Sequence, residues 1–307
     1  MLFNLLNRLK IRSISGFKAV VALFDVGSIL LLMTLLASMG LARERVLIYA
    51  WNPLVIYELA GSGHLEGFVL FFVLLSLFLL VKGRTSASVS SLALAASVKL
   101  YPVILLPAFL GKKKLRGCLL FCVIFLLTYL PYLGVGEKIV GFLPKYLEDP
   151  GESFNLGLKA YLIQLFPKAD PIVFTWVFAV FLLCVAGFIS AKQKDAISAL
   201  KFSYYLVSLQ IVFTSASLHP WYVIWVIPFL ALVPSPAWFY FSFAVCFSYL
   251  AYGLPGEILP EWVRNTEYIP FFLLLGGEFF ILNRQVADWF PLRFQKEERA
   301  FALREID

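Results

Sequence analysis

Residues 17–39 read FKAVVALFDVGSILLLMTLLASM, and this run decides the fold class. It is long enough to cross the hydrocarbon core of a bilayer, which takes about 20 mostly apolar residues in a helix. The whole chain has the same character, because 61% of its residues are hydrophobic and only 15% are charged. Soluble domains have about 45–50% apolar and about 25% charged residues. We therefore predict an all-α, polytopic transmembrane helix bundle.

Apolar runs of similar length recur along the chain and are separated by short charged loops. They predict about ten spans in one transmembrane domain, residues 17–283. Residues 1–16 place leucines at helical spacing among basic residues, which is typical of an amphipathic helix on a membrane surface. Residues 284–307 form a basic tail that we expect in the cytoplasm. The expected location is the cell membrane, with multiple passes.

The net charge of +7 does not indicate a nucleic-acid partner. No arginine-rich patch with interleaved stacking aromatics lies outside the apolar runs, and the enrichment of Lys and Arg in cytoplasmic loops explains the excess. The chain also lacks the glycine-rich phosphate loop, the HExxH motif and the GxSxG motif of soluble enzymes. We expect the lipid bilayer to surround the apolar helices.

The segment 86–110 lies between two basic clusters, one at Lys82 and Arg84 and one at residues 112–116. A single crossing would place these clusters on opposite faces, against the preference of Lys and Arg for the cytoplasmic side. A hairpin of two short helices, broken at residues 99–102 (KLYP), keeps both clusters on one face. Proline at position 102 supports the break, because it disfavours helix at the residue before it.

The stretch 52–66, NPLVIYELAGSGHLE, concentrates polar chemistry in an apolar chain. It belongs to a short crossing, residues 46–61, which its proline breaks or tilts. Its far end carries Glu58, His64 and Glu66. In a water-filled cavity these side chains can bind a metal, accept a proton or hydrogen-bond a sugar hydroxyl. The plainer interpretation is a polar loop at the membrane interface.

Lys99 is the most costly residue of the predicted bundle, because a lysine at the bilayer centre costs about 2.5–3.5 kcal/mol. It therefore requires an anionic partner. The phosphate of a polyprenyl lipid satisfies this requirement, and so does the carboxylate of Asp25 or Glu58. With a carboxylate partner, Lys99 can be a structural ion pair that holds the hairpin.

His219 is the second of the two histidines in the chain. Its position at the start of a predicted span, on the same side as His64, favours a role in the site. Tryptophan and tyrosine follow it at residues 221 and 222, so membership of an interfacial aromatic belt is the alternative.

Three stretches carry a family resemblance: WNPLVIYELAGSGHLEG (51–67), LALAASVKLYPVILLPAFL (92–110) and HPWYVIWVIPFL (219–230). In this order they resemble the GT-C superfamily of polytopic glycosyltransferases, and within it the bacterial polyprenyl-phosphate-mannose-dependent type. The resemblance covers residues 17–234. It implies a mannosyltransferase that moves a hexose from a polyprenyl-phosphate donor to a lipid or glycan acceptor on the non-cytoplasmic face.

The resemblance also implies roles for the polar residues, with Lys99 holding the donor phosphate. The candidate substrate ligands are Asn52, Lys99, Tyr101 and His219. The supporting catalytic candidates are Glu58, His64 and Glu66. No metal ligand is assigned, and a divalent cation stays open as a cofactor.

The catalytic aspartate of this superfamily lies in a large loop between the first and second spans. Residues 1–16 look like the end of that loop, so the expected aspartate is not in this chain. Asp25 lies within a helix and does not match that position. Two other functions therefore stay open: a transporter or flippase of a lipid-linked anion, and a catalytically inactive membrane protein.

Overall fold

The computed structural model describes residues 13–110, 114–141, 154–193, 195–214 and 217–285. Within these ranges the chain is built from helices and contains no β-strand, which confirms the predicted all-α bundle. Most of the predicted interfacial segment 1–16 and of the predicted tail 284–307 lies outside the described residues.

The longer helices make up most of the bundle. They are α1 (Ile14–Ser38), α2 (Glu66–Val81), α3 (Thr85–Val98), α4 (Lys114–Leu127), α5 (Leu158–Leu165), α6 (Pro171–Lys192), α7 (Ala196–Thr214), α8 (Pro236–Ala244) and α9 (Glu261–Gln285).

Shorter helices join or extend these elements. The α-helical turns are Leu47–Ala50, Pro53–Ile56, Leu106–Phe109, Pro220–Val223 and Ile227–Leu230, and a π-helix covers Tyr57–Ser62. The 3₁₀ helices are Arg43–Val46, Tyr101–Leu105, Leu130–Val140, Val245–Gly253 and Pro255–Glu257.

Three of the described helices, α1, α6 and α7, are long and apolar enough to cross a membrane. Helix α4 and the 3₁₀ helix after it make a fourth if the pair, which is bent by 58°, is one span. Several other predicted crossings consist of short helices, because prolines such as Pro53, Pro102 and Pro228 interrupt them and remove backbone hydrogen bonds. The number of about ten spans stays a prediction.

The segment from Arg43 to Ser62, which we call the return segment, runs back along α1. Halfway along, the Tyr49 hydroxyl donates a hydrogen bond to Asp25 Oδ1 at 2.5 Å. Beyond its end, Gly63 lies against Lys18 at the start of α1. The predicted short crossing at residues 46–61 therefore traverses most of the length of α1.

Helices α2 and α3 form an antiparallel pair. Ser76 Oγ donates to the Ser88 carbonyl at 2.7 Å, and Ser88 Oγ donates to the Ser76 carbonyl at 2.8 Å. Helix α3 ends at Val98, and the next helix starts at Tyr101. This confirms the predicted break of the hairpin at residues 99–102.

The bundle has two distinct ends. The site end contains the starts of α1 and α2 and the tip of the hairpin. The basic end contains Arg43, Lys82, Arg84, Arg116 and Lys192. The two basic clusters that flank the hairpin thus lie at the same end, as a broken hairpin requires.

Candidate functional site

A π-helix at the end of the return segment positions its polar residues. Asn52 caps the preceding helical turn, since its Oδ1 accepts a hydrogen bond from the Leu54 N–H at 3.0 Å. The π-helix Tyr57–Ser62 is then closed by the His64 N–H, which donates to the Glu58 carbonyl at 3.0 Å. Such π segments are rare and occur frequently at functional sites. The turn brings His64 back over Glu58.

Gly63 ends the π-helix in a left-handed conformation, with φ at +78°. A Cβ at this position would lie 2.9 Å from Lys18 Cγ. We expect Gly63→Ala to destabilise the protein by about 1–2 kcal/mol, the usual penalty for a side chain in this conformation. Thermal unfolding in detergent measures the loss. The matched control is Gly61→Ala, whose Cβ would meet its nearest neighbour at 3.6 Å; equal losses in both variants would contradict the prediction.

Two buried carboxyl groups flank the imidazole of His64. Glu58 is 1% exposed and Glu66 is 0% exposed. His64 Nε2 lies 3.2 Å from Glu58 Oε2, and His64 Nδ1 lies 3.7 Å from Glu66 Oε2. Burial lowers the pKa of His64, although the Glu66 charge opposes this. Burial therefore favours the neutral form of the ring.

Lys99 reaches this cluster from the tip of the hairpin. Its ammonium group forms an ion pair with Glu66, so its partner is neither Asp25 nor Glu58. It also lies 5.2 Å from the ring centroid of Tyr222. Because Glu66 is the first residue of α2, Lys99 lies at the end of the helices and not at their middle. The 14 residues of α3 rise about 21 Å, which carries the tip that far.

Both histidines stack on the same tryptophan. The Trp221 ring centroid lies 4.6 Å from that of His64 and 4.3 Å from that of His219. The column continues through Phe154, which stacks on His219 at 4.9 Å and on Tyr252 at 4.8 Å. We call these five rings the ring stack. It joins the end of the π-helix to residue 154, which is distant in the sequence.

The remaining two predicted ligands differ in their surroundings. Tyr101 is buried and stacks on Trp225 at 3.7 Å with nearly parallel rings, and Trp225 also faces the Lys99 ammonium. Asn52 is buried and donates from Nδ2 to Ser242 Oγ at 2.9 Å. Both polar groups of the Asn52 side chain are therefore hydrogen-bonded within the protein. Its role as a substrate ligand stays a prediction.

The structure thus brings six of the seven predicted residues into one cluster at the site end. These residues, the site cluster, are Glu58, His64, Glu66, Lys99, Tyr101 and His219. Among the described residues, no group of three or more His, Cys, Asp or Glu side chains is arranged to hold a metal ion.

A second buried network, which no motif in the sequence predicted, lies beside the ring stack. Glu267 accepts hydrogen bonds from Asn155 Nδ2 at 2.9 Å and from Ser248 Oγ at 2.6 Å. Asn155 Oδ1 accepts from the Gly157 N–H and from the Tyr268 hydroxyl, both at 3.1 Å. Glu267 lies within α9, which begins at residue 261, and its side chain is fully buried.

Comparison with known proteins adds a family to this geometry. A sequence model of glycosyltransferase family 87 matches residues 9–215. The chain belongs to glycosyltransferase family 87. The matched range contains the return segment and the hairpin, and therefore five of the six residues of the site cluster. No curated protein and no solved structure matches the chain.

Membership of family 87 supports a glycosyltransferase located in a membrane. An enzyme of this kind needs a sugar donor and an acceptor. His219 and Trp221 lie just beyond the matched range, but their rings stack in line with that of His64. The fold therefore adds them to the site.

Proposed function

We propose that this family 87 protein transfers a hexose, mannose, from a polyprenyl-phosphate donor to a lipid or glycan acceptor. The observation that carries the proposal is the convergence of the Lys99 cation, two buried carboxyl groups and the ring stack at one end of an apolar bundle. Ionisable residues at such positions in membrane proteins are usually functional. A membrane-embedded donor that carries both a phosphate and a sugar meets complementary groups here.

Lys99 is suited to contact the donor phosphate. An ammonium group has three N–H donors, so it can keep its bond to Glu66 and still donate to a phosphate oxygen. Its side chain is 30% exposed, and it lies beside the aromatic faces of Tyr222 and Trp225. The polyprenyl tail would remain among the apolar helices while its phosphate reached the ammonium group.

The neighbouring groups are suited to the sugar and the acceptor. The neutral ring of His64 can donate and accept hydrogen bonds, and a carboxylate accepts them from hydroxyl groups. His64 is 29% exposed, so it presents this chemistry at the surface of the site. His219 also stacks on Trp221, where it can contact the acceptor or the phosphate.

The positions of the basic residues favour one orientation in the membrane. The basic end of the bundle is opposite the site end, and Lys and Arg prefer the cytoplasmic side of a membrane. We therefore place the site end at the non-cytoplasmic face of the cell membrane and treat the chain as a multi-pass protein.

The test is turnover of a defined donor. Purified protein in lipid nanodiscs receives polyprenyl-phosphate mannose labelled in the sugar, together with a total lipid extract as the source of acceptor. We expect polyprenyl phosphate to be released and the label to move into the extract, and Glu66→Gln to abolish both. Label that enters sealed proteoliposomes without release of polyprenyl phosphate would instead indicate a transporter. Folded protein that gives neither result would contradict the proposal.

A further inference from the structure

His219 is the residue of the site cluster about which family membership says least, because the matched range ends at residue 215. It lies at the start of the helical turn Pro220–Val223 and is 8% exposed. Its imidazole stacks on Trp221 with an angle of 4° between the ring planes, and on Phe154 with an angle of 20°. These contacts restrict the plane of the imidazole. They leave open which of its two nitrogens faces the site.

The hydroxyl group of Tyr252 distinguishes the two nitrogens. It lies 3.0 Å from His219 Nδ1, within hydrogen-bond distance. A neutral imidazole has one N–H donor and one acceptor nitrogen, and the hydrogen bond at one nitrogen sets the state of the other. A phenol is a stronger acid than the N–H group of a neutral imidazole, so the hydroxyl is the better donor of the two. Nδ1 therefore accepts this hydrogen bond, and Nε2 carries the proton.

The network around Glu267 holds Tyr252 in place for this contact. The ring of Tyr252 stacks on Phe154 at 4.8 Å. Four residues earlier in the same 3₁₀ helix, Ser248 Oγ donates to Glu267 at 2.6 Å and accepts from Asn155 Nδ2 at 3.0 Å. Buried hydrogen bonds thus fix the helix that carries the hydroxyl group.

Asn155 connects the same network to the backbone beside His219. Its carbonyl oxygen accepts from the Leu218 N–H at 2.6 Å, and its side chain reaches the 3₁₀ helix. Phe154, the residue before it, stacks on His219. One buried asparagine therefore joins three segments that are distant in the sequence, and these carry Phe154, His219 and Tyr252. The packing of these segments sets the distance between the hydroxyl group and Nδ1.

We propose that Tyr252 is a positioning residue of the transfer reaction; this inference rests on the proposed function. Its hydroxyl group donates to His219 Nδ1 and keeps the imidazole in the tautomer whose Nε2 carries the proton. His219 then presents an N–H group to an oxygen atom of the donor or the acceptor. The other tautomer would present a lone pair, which repels an oxygen atom that is itself a hydrogen-bond acceptor. Tyr252 acts through His219 and does not touch the substrate.

The first test compares Tyr252→Phe with wild type in the nanodisc assay of polyprenyl-phosphate mannose turnover. Phenylalanine keeps a ring to stack on Phe154 and removes only the hydroxyl group. Loss of this one hydrogen bond should lower turnover by about tenfold. The unfolding temperature should stay at the wild-type value, because Tyr252 is 41% exposed. In a His219→Phe background the same substitution should lower turnover no further; an equal loss in that background would overturn the positioning role.

The matched control is Tyr249→Phe, which makes the same change in the same 3₁₀ helix. The Tyr249 hydroxyl group has no hydrogen-bond partner among the described residues, so turnover of this variant should equal that of wild type. A loss as large as that of Tyr252→Phe would also overturn the assignment, because the effect would not depend on the contact with His219.

Nitrogen NMR measures the contact without any turnover. The chain has two histidines, so protein with isotopically labelled histidine, purified through a tag that lacks histidine, gives signals from two rings, and His64→Phe assigns them. At alkaline pH, where an imidazole is neutral, we expect His219 Nδ1 to be unprotonated and hydrogen-bonded in wild type and to lose this hydrogen bond in Tyr252→Phe. An unchanged Nδ1 signal would overturn the proposal even if His219→Phe has no measurable turnover. Absence of turnover in wild-type protein would instead overturn the proposed function, and the NMR signals tell the two failures apart.

Discussion

Lys99→Gln should destabilise the protein by about 3–5 kcal/mol, the range for removing one partner of a buried ion pair. Glu66 would then be a fully buried carboxylate without its cation. The reverse substitution, Glu66→Gln, should cost less, because Lys99 is 30% exposed and can reach water. Chemical unfolding of both variants in the same detergent measures this asymmetry.

The double variant Lys99→Gln/Glu66→Gln separates the charge of the pair from its packing. Two neutral amides can hydrogen-bond to each other without the desolvation cost of two charges, so we expect the double variant to be more stable than Lys99→Gln alone. Lys82→Gln, at an exposed position of the basic end, is the control and should change stability by less than about 0.5 kcal/mol. A double variant as unstable as Lys99→Gln would contradict this account of the pair.

Asn155→Ala is the second substitution with a large expected effect. Asn155 is 1% exposed, and its loss would remove the hydrogen-bond partners of Gly157 N–H, of Tyr268 and of one oxygen of Glu267. Each buried group left without a partner costs about 1–3 kcal/mol, so we expect a total loss of about 3 kcal/mol or more. Chemical unfolding in detergent measures it.

Asn265→Ala is the matched control for this substitution. The Asn265 side chain accepts a single described hydrogen bond, from the Tyr161 hydroxyl at 2.9 Å, so its removal should cost about 1 kcal/mol. Asn155→Ala should also weaken the stacking of Phe154, the preceding residue, on His219. An effect of Asn155→Ala no larger than that of Asn265→Ala would show that the network around Glu267 does not hold this part of the fold.

Several features of the fold could be predicted because membranes impose strict rules on a sequence. The hairpin at residues 99–102 followed from the two basic clusters on either side of it and from Pro102. The predicted end of the short crossing at residue 61 agrees with the π-helix, which ends at Ser62. Charge placement and proline act locally or on a whole segment, so a single sequence carries enough information to read them.

The pairing of distant side chains could not be predicted in this way. The sequence offered Asp25 and Glu58 as partners of Lys99, but the partner is Glu66, because the hairpin tip reaches the start of α2. The stacking of both histidines on Trp221 depends on how separate segments rotate and pack. Apolar periodicity fixes neither of these, since all faces of such helices are hydrophobic.

Turnover of polyprenyl-phosphate mannose by Lys99→Gln/Glu66→Gln tests most directly whether the site cluster binds and splits the donor. The double variant keeps the buried contact but lacks the cation that would stabilise the leaving phosphate. Loss of such an electrostatic contact typically lowers kcat by about 10²–10³-fold. We expect a decrease of this size in folded double-variant protein. Turnover equal to that of wild-type protein would contradict the assignment of Lys99 and of the site around it.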